Sequence, residues 1–329
     1  LPERLDVFMA RANAAYYGRR DPFADFTTAP EIGQVFGELL GAWAAVTWQA
    51  MGAPDPVALV EAGPGRGTLM QDARRATARV APAFHAACSI HFIETSLRLR
   101  AEQAARVPDA TWHEGLDSLP DCPTMLLANE FLDALPIRQF VRLETGWTER
   151  HVQDGRFVEL AISDAPQDGV LAMKARPGMV REVSEAGLAW IRALARRLSR
   201  HLGVALLLDY GPAQSGPGDS LQAIRDGRPA DPLADPGEAD LTAHVDFQAL
   251  AQAAARTGAV CHGPVPQGDF LGALGLHART ARLIEANPQR AAALREAAAR
   301  LAAPDRMGAL FKALCLTHPG CPVPAGFAG

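Results

Sequence analysis

The stretch Val57-Ala58-Leu59-Val60-Glu61-Ala62-Gly63-Pro64-Gly65-Arg66-Gly67-Thr68 decides the fold. Its first half is a continuous apolar run, the pattern of a strand buried on both faces of a parallel sheet. Its second half sets glycines at 63, 65 and 67, where the chain can turn tightly and let a ligand touch bare peptide. Thr68 then opens an apolar-periodic helix over 68–80. Strand, glycine loop and helix form the opening unit of a nucleotide-type α/β fold.

The pattern repeats outward from this unit. Strands are expected at 89–95, 111–114, 124–128 and 204–209, with a helix over 96–106 capped by Ser96. Such alternation argues a parallel sheet with helices on both faces. Upstream, the spacing predicts a helix over 5–17 ending at Gly18, a loop over 19–30, and a helix over 31–51. Val35, Leu39, Leu40, Trp43 and Val46 form the apolar face of the last. At 138–163 the period changes to two, with an Asp154-Gly155 turn, so antiparallel strands are inserted at 139–143, 148–152 and 156–162. A helix follows at 184–202; its Arg192, Arg196, Arg197 and Arg200 complement the helix dipole. Residues 211–237 are rich in Gly, Pro and Asp and read as a loop, long enough to be functional. Helices at 246–257 and 278–302, the latter interrupted near Asn287-Pro288, and a strand at 310–317 complete the chain. Four segments result: a helical segment with a substrate-side loop (1–56), the cofactor-binding α/β core (57–137), the β insertion with its helix (138–203), and the rest of the core sheet with the long loop and C-terminal helices (204–329).

Composition excludes several classes. The chain has 329 residues, 48% of them hydrophobic, and a net charge of −5. No basic face marks a nucleic-acid partner, and no apolar run reaches membrane-spanning length. The cysteines at 88, 122, 261, 315 and 321 are odd in number and lack a C-x-x-C pair, which argues against a zinc site or a disulfide framework. Reduced thiols suit a cytosol-like compartment. Residues 1–11 do not resemble a secretory signal. A bacterial cytoplasmic location is favoured, or the mitochondrial matrix should a transit peptide precede Leu1.

The glycine spacing separates cofactors. The dinucleotide fingerprint is G-x-G-x-x-G; here Gly63, Gly65 and Gly67 bring the third glycine one position early. Glu61 precedes the loop, where a carboxylate would repel a pyrophosphate but suit the ammonium of a methionine moiety. Both features favour S-adenosylmethionine over a nicotinamide cofactor. Glu94, at the end of the second strand, can accept both ribose hydroxyls. Leu116 and Asp117, after the third strand, are candidates for the adenine edge.

On the reaction side, the apolar strand Met125-Leu126-Leu127-Ala128 runs into Asn129-Glu130, with Asp133 three residues on. Ligands of open α/β sheets sit beyond the carboxyl ends of the strands. Asn129 and Glu130 are therefore placed beside the transferable group, and paired carboxylates can hold a cationic nucleophile and accept its proton. Asp209-Tyr210-Gly211 points to the same edge. Glu31 and His244 complete the candidate catalytic set. Each also has a plainer reading, Glu31 as a first-turn carboxylate and His244 as a packed or surface histidine.

These residues resemble the MidA family of S-adenosylmethionine-dependent methyltransferases. The matching stretches are DFTTAPE (25–31), FGEL (36–39), EAGPGRGT (61–68), NEFLDALP (129–136), LDYG (208–211), DPLADPGEADLTAHVDF (231–247) and MGALFKAL (307–314). The resemblance implies a class I methyltransferase fold, Rossmann-like and mostly parallel, with family-specific insertions and added helices. It implies cofactor contacts from the loop, Pro64 included, and from Glu94. Because the family includes a mitochondrial arginine methyltransferase serving complex I assembly, it also implies a protein substrate, a respiratory-complex subunit among the candidates. Gly33 stands where the family usually has Ser, and Pro212 where a polar residue is common; both border the expected substrate entrance.

The leading expectation is methyl transfer to a protein side chain, arginine favoured, with Glu130, Asp133 and Glu31 orienting a guanidinium that stays charged near neutral pH. A small-molecule methyltransferase on the same fold is the first rival. A non-catalytic assembly factor that keeps the cofactor fold is the second, and a nicotinamide oxidoreductase the third.

Overall fold

A computed structural model describes residues 1–20, 27–166, 171–172 and 174–327. Asp25 and Phe26 of the DFTTAPE stretch lie outside the described residues. The centre is a seven-stranded sheet. Its strands are β1 (Val57–Ala62), β2 (Cys88–Ile93), β3 (Thr111–His113), β4 (Thr124–Asn129), β5 (Gly203–Tyr210), β6 (Val260–Pro266) and β7 (Phe311–Thr317). The spatial order is β3-β2-β1-β4-β5-β7-β6. All neighbours pair in parallel except β7, which runs antiparallel to both β5 and β6. The order reverses between β1 and β4, so the helices that follow these two strands leave on opposite faces and a crevice opens between them.

The central strands are apolar on both sides because both faces are covered. Val57 and Leu59 of β1 join Met125, Leu127 and Leu206 against the helix Val35–Ala50, whose Phe36, Leu40 and Trp43 are buried. Ala58 and Val60 turn the other way, with Leu126, Ala205 and Leu207. There they meet Leu188, Ile191, Leu194 and Leu198 of the helix Glu185–Arg200. Period-2 alternation within each strand thus feeds two helical layers.

The inserted segment is antiparallel, as the sequence predicts. Arg138–Leu143, Gly146–Gln153, Arg156–Leu160 and Val180–Val183 form a five-stranded sheet with the short strand Glu3–Arg4. At its centre Arg138 and Glu149 pair at 2.6 and 2.9 Å, both side chains fully buried.

Two expectations need correction. The loop predicted over 211–237 contains the hairpin Gln222–Arg225 and Arg228–Ala230, which pairs with Asp240–Thr242 in a third sheet. The single helix expected over 31–51 is two, Ala29–Ile32 and Val35–Ala50, because Gly33 is extended between them. An edge strand at Val260–Pro266 and a short helix at Pro82–Ala87 occupy stretches to which the sequence pattern assigns no element. The helix Thr68–Val80 and the break after Ala286 fall where the spacing puts them. Among the described residues no helix is long and apolar enough to cross a membrane.

Candidate active site

The crevice between β1 and β4 opens into a cleft of about 750 Å³, lined by residues from the glycine loop, the ends of β2 and β4, and the helix Leu5–Arg19. The loop turns through three left-handed glycines: Gly63 at φ 64°, Gly65 at φ 54° and Gly67 at φ 81°. Gly67 caps the helix Thr68–Val80, so free N–H groups of its first turn face the loop. A Cβ on Gly63 would stand 2.9 Å from the ring of Phe131, so this glycine is required by packing as well as by φ.

Gln103, fully buried on the helix Leu97–Arg106, braces the loop from behind. Its Nε2 donates to Gly65 O at 2.7 Å and to Glu94 Oε2 at 3.2 Å, while its Oε1 accepts from Trp112 Nε1 at 2.8 Å. Glu94 Oε1 accepts the Ser96 N–H at 2.8 Å. Each Glu94 oxygen therefore keeps one lone pair for a ligand. Burial pushes this carboxyl upward, against the hydrogen bonds that favour its charge.

Glu61 lies 3% exposed at the end of β1, and burial raises its carboxyl to about 8. Among the described residues its Oε2 has no hydrogen-bond partner, nor does Asn129 Oδ1 across the switch point. Two buried acceptors without donors, on residues that both line the cleft, are a costly arrangement for a protein to keep unless a ligand supplies the donors. An ammonium group does so.

Past β4 the chain turns sharply. Glu130 takes φ 49°, rare for a side chain with a Cβ. Its Oε1 accepts Ala29 N–H at 2.8 Å and Asn129 Nδ2 at 3.0 Å. Burial lifts Glu130 to about 7, with the Asp133 charge adding to the rise. Glu31 also lines the cleft and accepts from Thr68 Oγ1 at 2.5 Å, which ties the 29–32 turn to the glycine-loop helix. Asp133 is 7% exposed, does not line the cleft, and is raised by burial to about 6. It sits behind the wall, where its backbone N–H donates to Asp209 Oδ2 at 3.2 Å.

The structure thus brings together Glu31, Glu61, Gly63, Pro64, Gly65, Glu94, Asn129 and Glu130 around one cleft. Gly67 supports it from the helix cap. Four candidates stand apart, Asp133 behind the wall and three others. Leu116 packs into the apolar core and Asp117 is exposed, so the cleft rim after β3 is formed by Glu114 and Gly115. His244 is exposed and lines a different cavity, of about 550 Å³, with its ring edge-on to Tyr210 at 5.5 Å. The strand Asp240–Thr242 carries it there, since the next N–H, of Ala243, is spent on Asp133 O and the side chain of 244 turns away from the cleft.

Sequence reasoning missed the roof. Asn13 and Tyr17 of the first helix line the cleft. Asn13 is saturated, donating to Ala134 O and Leu241 O and accepting Leu241 N–H. Its signal was an amide in the middle of an alanine-rich helix, where propensity disfavours it. Trp190, 5.0 Å from the Phe131 ring, closes the far wall.

The parallel switch-point sheet with antiparallel β7, the left-handed glycine loop and the acid at the end of β2 define the class: an S-adenosylmethionine-dependent methyltransferase. A family of S-adenosyl-L-methionine-dependent methyltransferases matches residues 39–265. The chain belongs to this MidA-like family. It is 34% identical to the mitochondrial protein arginine methyltransferase NDUFAF7 homolog of Drosophila melanogaster, covering 95% of this chain and 80% of that one. The Homo sapiens protein arginine methyltransferase NDUFAF7 is 32% identical, with coverage of 86% and 71%. A Burkholderia thailandensis protein solved with S-adenosyl-homocysteine bound superposes with a TM-score of 0.80 at 27% identity, covering 100% of this chain and 89% of that chain. The native structure of a Burkholderia thailandensis protein of the same superfamily gives a TM-score of 0.83 at 27% identity, covering 100% of this chain and 88% of that chain.

Proposed function

We propose that the chain methylates a cationic nitrogen of a protein, an arginine guanidinium first. The observation that carries this reading is Glu130: a carboxyl at the end of β4, lining the cleft, fixed by Ala29 and Asn129, and raised by burial to about 7. A base poised near neutral pH is suited to take a proton from an attacking nitrogen. The relatives' names, protein arginine methyltransferases, support the same substrate class.

Within this reading Glu61 and Asn129 hold the ammonium end of the cofactor, and Glu94 its ribose hydroxyls. Gly63, Pro64, Gly65 and Gly67 give the backbone surface on which it lies, with Glu114 and Gly115 at the rim. S-adenosylmethionine supplies an electrophilic methyl group on a sulfonium. Glu130 orients the incoming guanidinium and receives its proton. Glu31 adds negative potential and holds the 29–32 turn through Thr68. Asp133 acts from behind the wall, raising Glu130 through its charge. Phe131 and Trp190 exclude water from the far side. Positioning of this kind supplies most of the rate gain in such transfers.

The relatives named above are mitochondrial; for this chain a reducing, cytosol-like compartment fits its five free cysteines. A respiratory-complex subunit remains the first protein to try as acceptor. The test is tritiated methyl transfer from labelled S-adenosylmethionine into a cell extract, followed by hydrolysis and amino-acid analysis. Label in methylarginine supports the reading. Label only in the low-molecular-weight fraction replaces it with a small-molecule methyltransferase, and no label at all contradicts it.

A further inference from the structure

The turn that carries Glu130 has no glycine, proline or cap of its own, yet it is sharp. What shapes it comes from the neighbouring strand. β4 and β5 run side by side, with Leu208 opposite Asn129. The ladder extends one residue further, Glu130 N–H donating to Leu208 O at 2.9 Å. Asp209 is the next residue on β5, 1% exposed. Its Oδ2 accepts three consecutive main-chain N–H groups, from Phe131 at 3.2 Å, Leu132 at 2.9 Å and Asp133 at 3.2 Å. Its Oδ1 accepts the Tyr210 N–H at 2.9 Å. Successive N–H groups converging on one oxygen form a concave anion site, filled here by the protein's own side chain.

We propose that Asp209 is a positioning residue for methyl transfer, holding the 131–133 segment so that the Glu130 carboxyl stands in the cleft. The inference rests on the function proposed above. The argument is geometric. Glu130 is held at φ 49° between two anchors, the Leu208 carbonyl on its own N–H and the Asp209 carboxylate on the next three. The same anchor sets Phe131, whose ring lies against Gly63 and Trp190. With Asp209 removed, three main-chain N–H groups, those of Leu132 and Asp133 buried, lose their acceptor, and the segment must turn to find others. Glu130 would then leave Ala29 and Asn129. Glu61 and Glu94 are held by other elements, β1 and the helix Leu97–Arg106, so these two cofactor residues would stay.

Asp209→Asn is the informative change because it keeps volume and shape. An amide has one acceptor oxygen; its NH2 group can face neither the three converging N–H groups nor the Tyr210 N–H. Four quantities are read on the 329-residue chain: S-adenosylhomocysteine affinity by calorimetry, Tm, labelled-methyl transfer at saturating cofactor, and the same transfer in Glu130→Gln and in the double variant. The expected result is cofactor affinity within about threefold of the unmodified chain and turnover lowered at least tenfold. In the Asp209→Asn background, Glu130→Gln then costs far less than it does alone, because the carboxyl it removes is already misplaced. Leu207→Ala, in the apolar core of the same strand, controls for plain loss of stability. It should lower Tm as much or more while keeping turnover. Independent, multiplicative losses from Asp209→Asn and Glu130→Gln would overturn the inference. So would a turnover loss in Leu207→Ala that tracks Tm along the same line as Asp209→Asn. If the unmodified chain transfers no methyl group, the proposed function fails first; if it transfers and Asp209→Asn matches it, only the positioning role fails.

Discussion

The amide of Gln103 and the carboxylate of Glu94 meet at 3.2 Å, and the same amide nitrogen reaches Gly65 O at 2.7 Å. One side chain therefore couples the glycine loop to Glu94, the acid proposed to hold the ribose. Gln103→Leu keeps the volume but leaves Gly65 O and Trp112 Nε1 buried without partners. We expect a stability loss of about 1–3 kcal/mol from those orphaned groups. Cofactor affinity should also fall about tenfold, equal to about 1.4 kcal/mol. Thermal unfolding and calorimetry with S-adenosylhomocysteine check both; unchanged affinity would show that the loop keeps its shape without this brace.

Glu94→Ala should weaken cofactor binding by about 1.5–3 kcal/mol for each charged hydrogen bond lost. Its contribution to the free protein is smaller, since Ser96 N–H stands at a solvent-accessible helix start and water can replace the carboxylate. A variant that binds S-adenosylhomocysteine as tightly as the unmodified chain would place the ribose elsewhere.

Binding should depend on pH through Glu61. Its carboxyl titrates near 8 in the free protein because burial disfavours the charge. An ammonium partner needs the ionised form, so binding releases a proton below that pH. S-adenosylhomocysteine affinity should rise by up to about tenfold per pH unit and level off above about 8. Stability of the free protein runs the other way. The folded state holds this proton at a pH where the unfolded chain, near 4.5, has lost it, so the contribution falls as pH rises from 4.5 to about 8. Calorimetry in buffers of different ionisation enthalpy counts the protons. Proton uptake on binding would reverse the assignment.

A buried ion pair lies inside the antiparallel sheet, and its arginine also reaches Glu185 at 3.0 Å. Arg138 and Glu149 are both fully buried and bidentate. Arg138→Met leaves an uncompensated carboxylate and should cost about 3–5 kcal/mol. Replacing Glu149 by Leu in that background should recover much of the loss, because a well-packed apolar pair avoids the desolvation penalty. Denaturant melts of the single and double variants measure this; no recovery would mean that the pair is needed for its geometry and not only for its charge balance.

Legibility followed the length of the signal. β1 with its glycine loop, and the helix Thr68–Val80, could be read directly because apolar run, glycines and 3.6-residue period agree over consecutive residues. β6 was hidden because Val260–Pro266 contains a glycine and two prolines, which only an edge strand tolerates. The hairpin at Asp226-Gly227 uses the same left-handed turn as Asp154-Gly155, with φ 53° and 71° against 50° and 68°. It escaped notice because its strands are short and lie in a Gly- and Pro-rich stretch. Glu61, Glu94, Asn129 and Glu130 were legible as strand-end residues, since the fold rule places such ends at the crevice. His244 was not placeable that way. It follows a strand of the third sheet, whose orientation depends on contacts with Asp133 and Gln222 that no local pattern encodes. Asn13 and Trp190 reach the cleft from elements far away in sequence, and only tertiary packing reveals them.

In the proposed function Glu130 acts on the methyl acceptor and not on the cofactor, and Glu130→Gln separates the two. The change keeps size and shape but removes the charge and the proton acceptor. Measured side by side with the unmodified chain, S-adenosylhomocysteine affinity should stay within about threefold, a difference below 1 kcal/mol. Labelled-methyl transfer to protein should fall about 100-fold or more. Near-normal transfer by Glu130→Gln, or a cofactor affinity lost in proportion to turnover, would rule out this role for Glu130.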